Sequence, residues 1–503
     1  MTAPPERQVI RNGRVLDPET RTVEAADLLI EGDSVRELGP PGMEAPADAV
    51  AVDAADRLLI PGLVNAHTHG HGSLAKGYAD KWSLELLLNA APWIGGGLTA
   101  EARALAARLN AAEMVLKGCT AAYDMFFEFP APTRDGIAAV ARAYEEVGIR
   151  AAVAPMMADT TLYRAVPGLL DALPEPHRRH AESLQAAPHA EHIAGCRTLL
   201  QDWPADRDLV RPALGPTIPL HCSDEFIRAC RDLARDYAVG LQMHLAESKT
   251  QAVAGVARYG KSLTAHLDDL GLIGPNFTGA HCVWLDGEDV KILAGRGANV
   301  SHNPGSNLRL GNGVAPARRM LDEGVTVGIG TDGSSSGDHQ NMVEAMRMAA
   351  FASRIHDLDP ERWLGSWDVL RAGTLGGAAL LGMAGKIGRI APGYKADIAF
   401  LDLANVAFVP LNDAANQIVN CADGSVVDSV MIGGRTVLQG RRFTALDYDR
   451  LRRDAQAMAD RLREVNAPVR APMEAMADYV SRHCVGLACE GYHVHRRIDA
   501  GAR

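Results

Sequence analysis

Apolar and polar positions alternate in short bursts over the first sixty residues, in QVIRNGRVLD, ADLLIEGDSVRELG and RLLIPG, with Gly, Asp and Pro between them. Period-two alternation punctuated by turn residues predicts short strands. The same texture returns in GRIAPGYKADIAFLD and SVMIGGRTVLQGRRF. Two β-rich segments flanking a long middle predict one composite domain, a small β-sandwich made from both chain ends, 1–60 and 386–446. The middle, 61–385, repeats strand, loop, helix. Its predicted strands cover 62–69, 119–126, 149–157, 210–219, 240–247, 277–285, 298–304 and 326–333, and helical patterns such as 99–118 and 224–238 lie between them. Short, nearly continuous apolar strands alternating with amphipathic helices predict a parallel sheet covered by helices. Eight such units predict an α/β fold, a (β/α)8 TIM-like barrel. The segment 160–209, rich in Pro, His and Arg, predicts a helical insertion on the substrate side or at a subunit contact. Residues 447–466 read as an exposed amphipathic helix that opens a C-terminal helical tail, 447–503.

A chain of 503 residues supports a core of this size without disulfides or zinc knuckles. Its net charge of −11 argues against a nucleic-acid or anionic-membrane surface and favours a small-molecule partner. The eight cysteines show no framework spacing, which predicts reduced thiols and a cytoplasmic protein. The N-terminal MTAPPERQVIRNG lacks the apolar core of a signal peptide, and no long uninterrupted apolar run predicts a membrane span. The tail sequence RHCVGLACEGYHVHRR gathers His483, Cys484, Cys489, His493 and His495. Their spacing matches no common zinc finger. The tail is expected instead to bury Tyr479, Val480, Val485, Leu487 and Tyr492 against the barrel or a partner subunit of a homo-oligomer.

Barrel enzymes place their chemistry at the C-terminal ends of strands. Here the first strand ends in His67-Thr68-His69, whose two imidazoles share one face. The fifth carries His244 and then Glu247, the sixth His281, the seventh His302 and the eighth Asp332. Any one of these has an ordinary explanation: a satisfied polar residue, a turn aspartate or a helix-opening glutamate. Their joint placement at strand ends points to a metal centre. Three histidines and one aspartate suit zinc or another divalent first-row metal such as iron or manganese, with a position left for water. Such an ion lowers the pKa of its water toward about 7. Hydrolysis then needs one group to take the water proton and another to protonate the leaving side, and Glu247 and His281 are the remaining candidates.

At these residues the chain resembles the amidohydrolase superfamily, in the branch of S-adenosylhomocysteine/methylthioadenosine deaminases, guanine deaminases and triazine hydrolases. The resemblance rests on PGLVNAHTH, MHLAES, GAHCVWL, SHNPGSNLRLGNGVAP and GTDGSSSGDHQNM, in family order, and on the β-rich ends. It implies His67, His69, His244 and Asp332 as metal ligands and Glu247, His281 and Asp332 as the proton-handling groups. His302 and Asn303 fall in a motif near the metal, and Trp93 is a candidate either to stack on a flat substrate or to fill the core. Two-metal members bridge their ions with a lysine on the fourth strand, but no Lys occurs between Lys117 and Lys249, so one ion is expected. The implied activity is hydrolytic deamination of an amino-substituted nitrogen heterocycle: a purine, pyrimidine, pterin or triazine. The alternative is hydrolysis of a cyclic amide, or of a chloro or alkylamino substituent on such a ring. Adenosine-type members carry Pro-His-Ser-Pro on the fourth strand, where this chain reads Gly215-Pro216-Thr217-Ile218-Pro219, with His221 beyond. The expected loop after the first strand, Ala91-Pro92-Trp93-Ile94-Gly95-Gly96, supplies no acid for a ribose.

Overall fold

The computed structural model describes residues 5–78 and 80–497, so the outermost parts of the two terminal segments, 1–4 and 498–503, lie outside it. Both chain ends enter one nine-stranded sheet. From the N-terminal side come Arg7–Asp17, Thr22–Glu31, Ser34–Gly39, Val50–Asp53 and Arg57–Pro61; from the C-terminal side come Ile398–Asp402, Val427–Ile432, Arg435–Gln439 and Arg442–Phe443. The first strand bends at a bulge between Ile10 and Gly13, where Asn12 takes φ 66°. Its first half pairs with Val50–Asp53 and its second with Arg57–Pro61. The sheet therefore folds across this strand and encloses an apolar cluster that includes Ile10, Leu28, Ile30, Leu59, Ile398 and Phe400. The antiparallel pairing of Ile398–Asp402 with Arg57–Pro61 joins the two chain ends.

The barrel strands are Leu63–Thr68, Cys119–Phe127, Arg150–Met157, Val210–Pro212 with Gly215–Pro216, Leu241–Leu245, Phe277–His281, Asn299–His302 and Thr326–Ile329. Their pairings are parallel. The fourth is broken because Pro212 and Pro216 remove ladder donors. It still joins the fifth through the bridge Leu214–Leu241 and through His244 N–H donating to Thr217 O at 2.9 Å. The eighth strand closes on the first. A Cβ at Gly328 would lie 2.9 Å from Ala66 Cβ, and one at Gly330 would lie 2.8 Å from His67 Cβ, so only glycine admits the approach. Side-chain caps start the covering helices: Thr99 for Ala100–Leu116, Ser223 for Asp224–Asp236 and Ser248 for Lys249–Tyr259.

Between barrel and sheet, Arg150 and Asp397 form a buried two-point ion pair at 2.7 and 3.1 Å. The insertion forms four short helices between Leu162 and Gln201. The chain ends in two long helices, Tyr448–Val465 and Ala467–Ala488. The second packs against the helix Leu84–Ile94, burying Met473, Met476, Val480 and Cys484. No helix of the described residues is long and apolar enough to cross a membrane.

Candidate active site

Strands one, five, six and eight bring six side chains to one point. His67 Nε2 and His69 Nε2 lie 3.6 and 3.3 Å from Asp332 Oδ1. His69 Nε2 is 3.2 Å from His244 Nε2. His281 Nε2 stands 3.7 Å from Glu247 Oε2 and 3.8 Å from Asp332 Oδ2. Asp332 reaches inward from a turn at φ 63°, and His281 sits at φ 70° with Cys282 at φ 51°. Several left-handed non-glycine residues at one place mark backbone strain held by the surrounding packing.

The outer contacts fix the imidazole tautomers. Nδ1–H of His69 donates to Met125 O at 2.7 Å, and that of His244 donates to Thr217 O at 2.7 Å. Nδ1–H of His67 donates to Gln242 Oε1 at 2.6 Å, and Gln242 Nε2 donates in turn to Ala66 O, which sets the amide's orientation. Nδ1–H of His281 donates to Asn307 Oδ1 at 2.8 Å. All four rings thus turn an Nε2 lone pair inward, as metal-ligating histidines do. Burial pushes His67 and His281 down to about 3, and His244 well below its ordinary value, so these rings are neutral at pH 7. Burial, with the nearby charges of Asp332 and Glu85, holds the Glu247 carboxyl well above its usual range.

The donor set fits a divalent ion. With both Nδ1 atoms protonated, no hydrogen bond holds His69 Nε2 and His244 Nε2 together at their 3.2 Å separation. That separation matches two nitrogens placed about 2.0–2.1 Å from one tetrahedral ion. Nε2 of His67, Nε2 of His281 and Oε2 of Glu247 are buried without a hydrogen-bond partner. Among the described residues, every group of three ligand atoms close enough to share an ion lies at this centre. The tail residues do not converge. His483 bonds Pro167 O, His493 pairs with Asp286, Cys484 is buried and Cys489 exposed.

A cavity of about 190 Å³ opens onto His69, His244, Glu247 and Asp332. Leu84, Leu87, Leu88 and Ala91 form one wall at helical spacing, Phe127 and Phe129 another, and Leu162, Leu184 and His192 of the insertion a third. The insertion therefore lies on the cavity side. Trp93 is absent from the wall, so of its two expected roles the structure supports the core one and not stacking. Residues 84–94 form a helix rather than a loop, and Trp93 lies on the face opposite Ala91. There it is 4% exposed, 5.3 Å from the Tyr78 ring and beneath the Arg470 guanidinium. His302 and Asn303 are also off the cavity wall. Asn303 O accepts from Asn307 N–H at the start of the helix whose Asn307 side chain holds His281.

Three cavity-lining histidines fall outside the predicted set: His192 on the insertion wall, His71 and His221. His71 accepts Phe127 N–H on Nδ1 at 3.1 Å, which leaves its proton on Nε2 as a donor. Its signal was present, because His67, His69 and His71 continue one period-two series. His221, from the turn Pro219–His221, lines the cavity beyond Thr217.

Residues 58–437 match the family model described as the amidohydrolase family. The chain belongs to the amidohydrolase family. This amidohydrolase is 32% identical over 458 residues to the 5'-deoxyadenosine deaminase of Methanosarcina barkeri, covering 90% of this chain and 98% of the relative. It is 34% identical over 436 residues to the 5-methylthioadenosine/S-adenosylhomocysteine deaminase of Thermococcus onnurineus, covering 86% and 95%. Among solved structures it is similar to an adenosine deaminase from Xanthomonas campestris with bound zinc, at TM-score 0.81 and 29% identity over 92% of this chain and 100% of that one. It is similar also to the atrazine chlorohydrolase of Arthrobacter aurescens TC1 complexed with zinc, at TM-score 0.80 and 27% identity over 90% and 99%. The amidohydrolase is a hydrolase of carbon–nitrogen bonds other than peptide bonds.

Proposed function

We propose that this amidohydrolase deaminates an amino-substituted nitrogen heterocycle by hydrolysis, releasing ammonia. The observation that carries the reading is the convergence of four inward Nε2 atoms with two buried carboxylates at the floor of a largely apolar cavity. His67, His69, His244 and Asp332 would hold one divalent ion. Zinc is our choice of ion, supported by the zinc in solved relatives. When bound, the ion supplies Lewis acidity that brings a water's pKa toward about 7. The absence of any Lys between Lys117 and Lys249 supports a single ion.

The remaining work belongs to the chain. Asp332 Oδ2 and His281 Nε2, 3.8 Å apart, hold the proton of the attacking water. Glu247 carries a proton on Oε2 and gives it to the ring nitrogen beside the attacked carbon, so no full negative charge builds there. Burial, with the charges of Asp332 and Glu85, raises its pKa and so favours the protonated form this step uses. The water proton then passes to the amino group, the carbon–nitrogen bond breaks and ammonia leaves, and the remaining hydroxyl proton returns to Glu247 as the ring carbonyl forms. The apolar walls exclude bulk water from the exchange.

We further propose a ring without a sugar. The helix that faces the cavity offers Leu84, Leu87, Leu88, Ala91, Pro92 and Ile94, with Gly95 at its end, and none of these can bond a ribose hydroxyl. Of the polar residues on the remaining walls, which include Glu128, Thr161, His192 and Ser335, we assign His71 and His221 as contacts for the ring itself. A panel of amino-purines, -pyrimidines, -pterins and -triazines, assayed for ammonia beside 5'-deoxyadenosine, tests this. Turnover of a free ring above the nucleoside is the expected result; a strong preference for the nucleoside contradicts it. The apolar wall and the likeness to atrazine chlorohydrolase support a second reading, in which chloride or an alkylamine leaves instead. Chloride and amine detection on the same panel separates the two.

A further inference from the structure

After the helix Ala467–Ala488 the chain runs back over the barrel mouth as a strap, residues 489–497. It grips two loops at once. On the loop after the sixth strand, Arg496 donates from Nε to Val283 O at 2.9 Å and from Nη2 to Leu285 O. His493 pairs with Asp286 at 2.8 Å, and the Tyr492 ring stands edge-on to Trp284 with centroids 6.2 Å apart. On the loop 310–314, Val314 N–H donates to Arg496 O at 2.9 Å and Arg497 donates to Gly311 O. Gly313 makes the approach feasible. It takes φ +120°, and a Cβ there would lie 2.6 Å from Arg496 O.

The two gripped loops are fastened to each other and to the site. Trp284 Nε1–H donates to Asn312 O at 2.8 Å. Asn312 Nδ2 donates to Glu247 Oε1 at 3.0 Å. Asn312 N–H donates to the carbonyl of Asn307, whose side chain holds His281 Nδ1 at 2.8 Å. Glu247 Oε2 has no hydrogen-bond partner, so the Asn312 contact sets how the carboxyl is turned.

We infer that Arg496 is a positioning residue for the proton-transfer pair: the C-terminal strap holds Asn312, and through it Glu247 and Asn307–His281, in the orientation turnover needs. This rests on the proton-transfer roles proposed above. It makes the far C-terminus part of the active-site scaffold rather than a packing appendage.

The test is a double-mutant cycle in the full-length, metal-loaded enzyme, combined with hydrogen exchange. Arg496→Met keeps the aliphatic stem and removes both side-chain bonds. We expect kcat to fall about tenfold, part of the ~10²-fold that a 1 Å misplacement of a catalytic group can cost, with KM within about twofold and bound metal unchanged. Asn312→Ala should fall at least as far. If the strap acts through Asn312, Arg496→Met in the Asn312→Ala background costs nothing further. Full multiplication of the two losses, or an unchanged kcat in Arg496→Met, overturns the proposal. Amide exchange over 310–314 should quicken in Arg496→Met, and unchanged protection there also overturns it. Should Arg496→Met fail to fold, Arg496→Lys, which keeps the charge but not the two-point grip, enters the same cycle. Failure of the proton-transfer reading is seen separately, as full activity in Glu247→Gln.

Discussion

Replacing Glu247 by Gln removes a proton donor and keeps the outline of the side chain. The amide oxygen can still accept from Asn312 Nδ2, which lies 3.0 Å from Oε1 in the native protein. The other end of the side chain has no hydrogen-bond partner to lose. The residue is 1% exposed, and an amide, like the protonated acid it replaces, buries no charge, so the fold should lose nothing. The metal ligands His67, His69, His244 and Asp332 are untouched. What disappears is proton delivery to the ring nitrogen. A positioned general acid contributes about 10²–10⁴-fold, or about 2.7–5.5 kcal/mol of barrier. The expected result is therefore a kcat lower by at least about a hundredfold, KM changed little, one bound ion per chain and an unchanged melting temperature. Steady-state kinetics on the best substrate, with metal analysis on the same preparation, reads all of these. A metal-loaded Glu247→Gln enzyme with kcat within about threefold of wild type would refute the assignment.

His67→Ala should lose both ion and activity, since it opens the ligand set; retention of a full equivalent of metal on purified variant would contradict its place there. Asp397→Ala leaves the Arg150 guanidinium buried without its carboxylate between barrel and sheet, and should cost about 3–5 kcal/mol, read as a lower urea midpoint; a midpoint within error of wild type would argue against that pair as a joint. Truncation after Asp447 removes Leu451, Leu462, Met473, Met476 and Val480 from buried positions, each worth about 1.5–3 kcal/mol. Calorimetry should show a lower transition with the catalytic ion retained, and loss of a second, separately bound zinc would instead establish a tail site.

The barrel was legible because its strands are fully buried and read as apolar runs between helical patterns; Cys119–Phe127 and Phe277–His281 begin where the pattern places them. The candidate metal centre was legible for a related reason. Ligands at strand ends must sit at fixed places relative to those runs, as His67, His244 and Asp332 do. The fourth strand was harder to delimit because Pro212 and Pro216 interrupt its pairing. The stretch 91–96 reads as a loop because Pro92 and the following glycines look like breakers, yet 91–94 close a helix. Pro92 sits two residues before the helix end, where Gly95 N–H still bonds Ala91 O. That reading also left open the direction of Trp93, which follows from helical phase. The grip of Arg496 on Val283 and Leu285 could not be read from the sequence, because it joins residues over two hundred positions apart through backbone carbonyls that no side-chain pattern reports.

The central claim is that one ion at His67, His69, His244 and Asp332 drives deamination. Chelator-stripped protein titrated with zinc, with ammonia release followed on a panel-selected heterocycle, tests it directly. The account predicts no release without metal and a linear rise that breaks at one equivalent per chain. Ammonia release from fully stripped protein, or a break only at two equivalents, would contradict it.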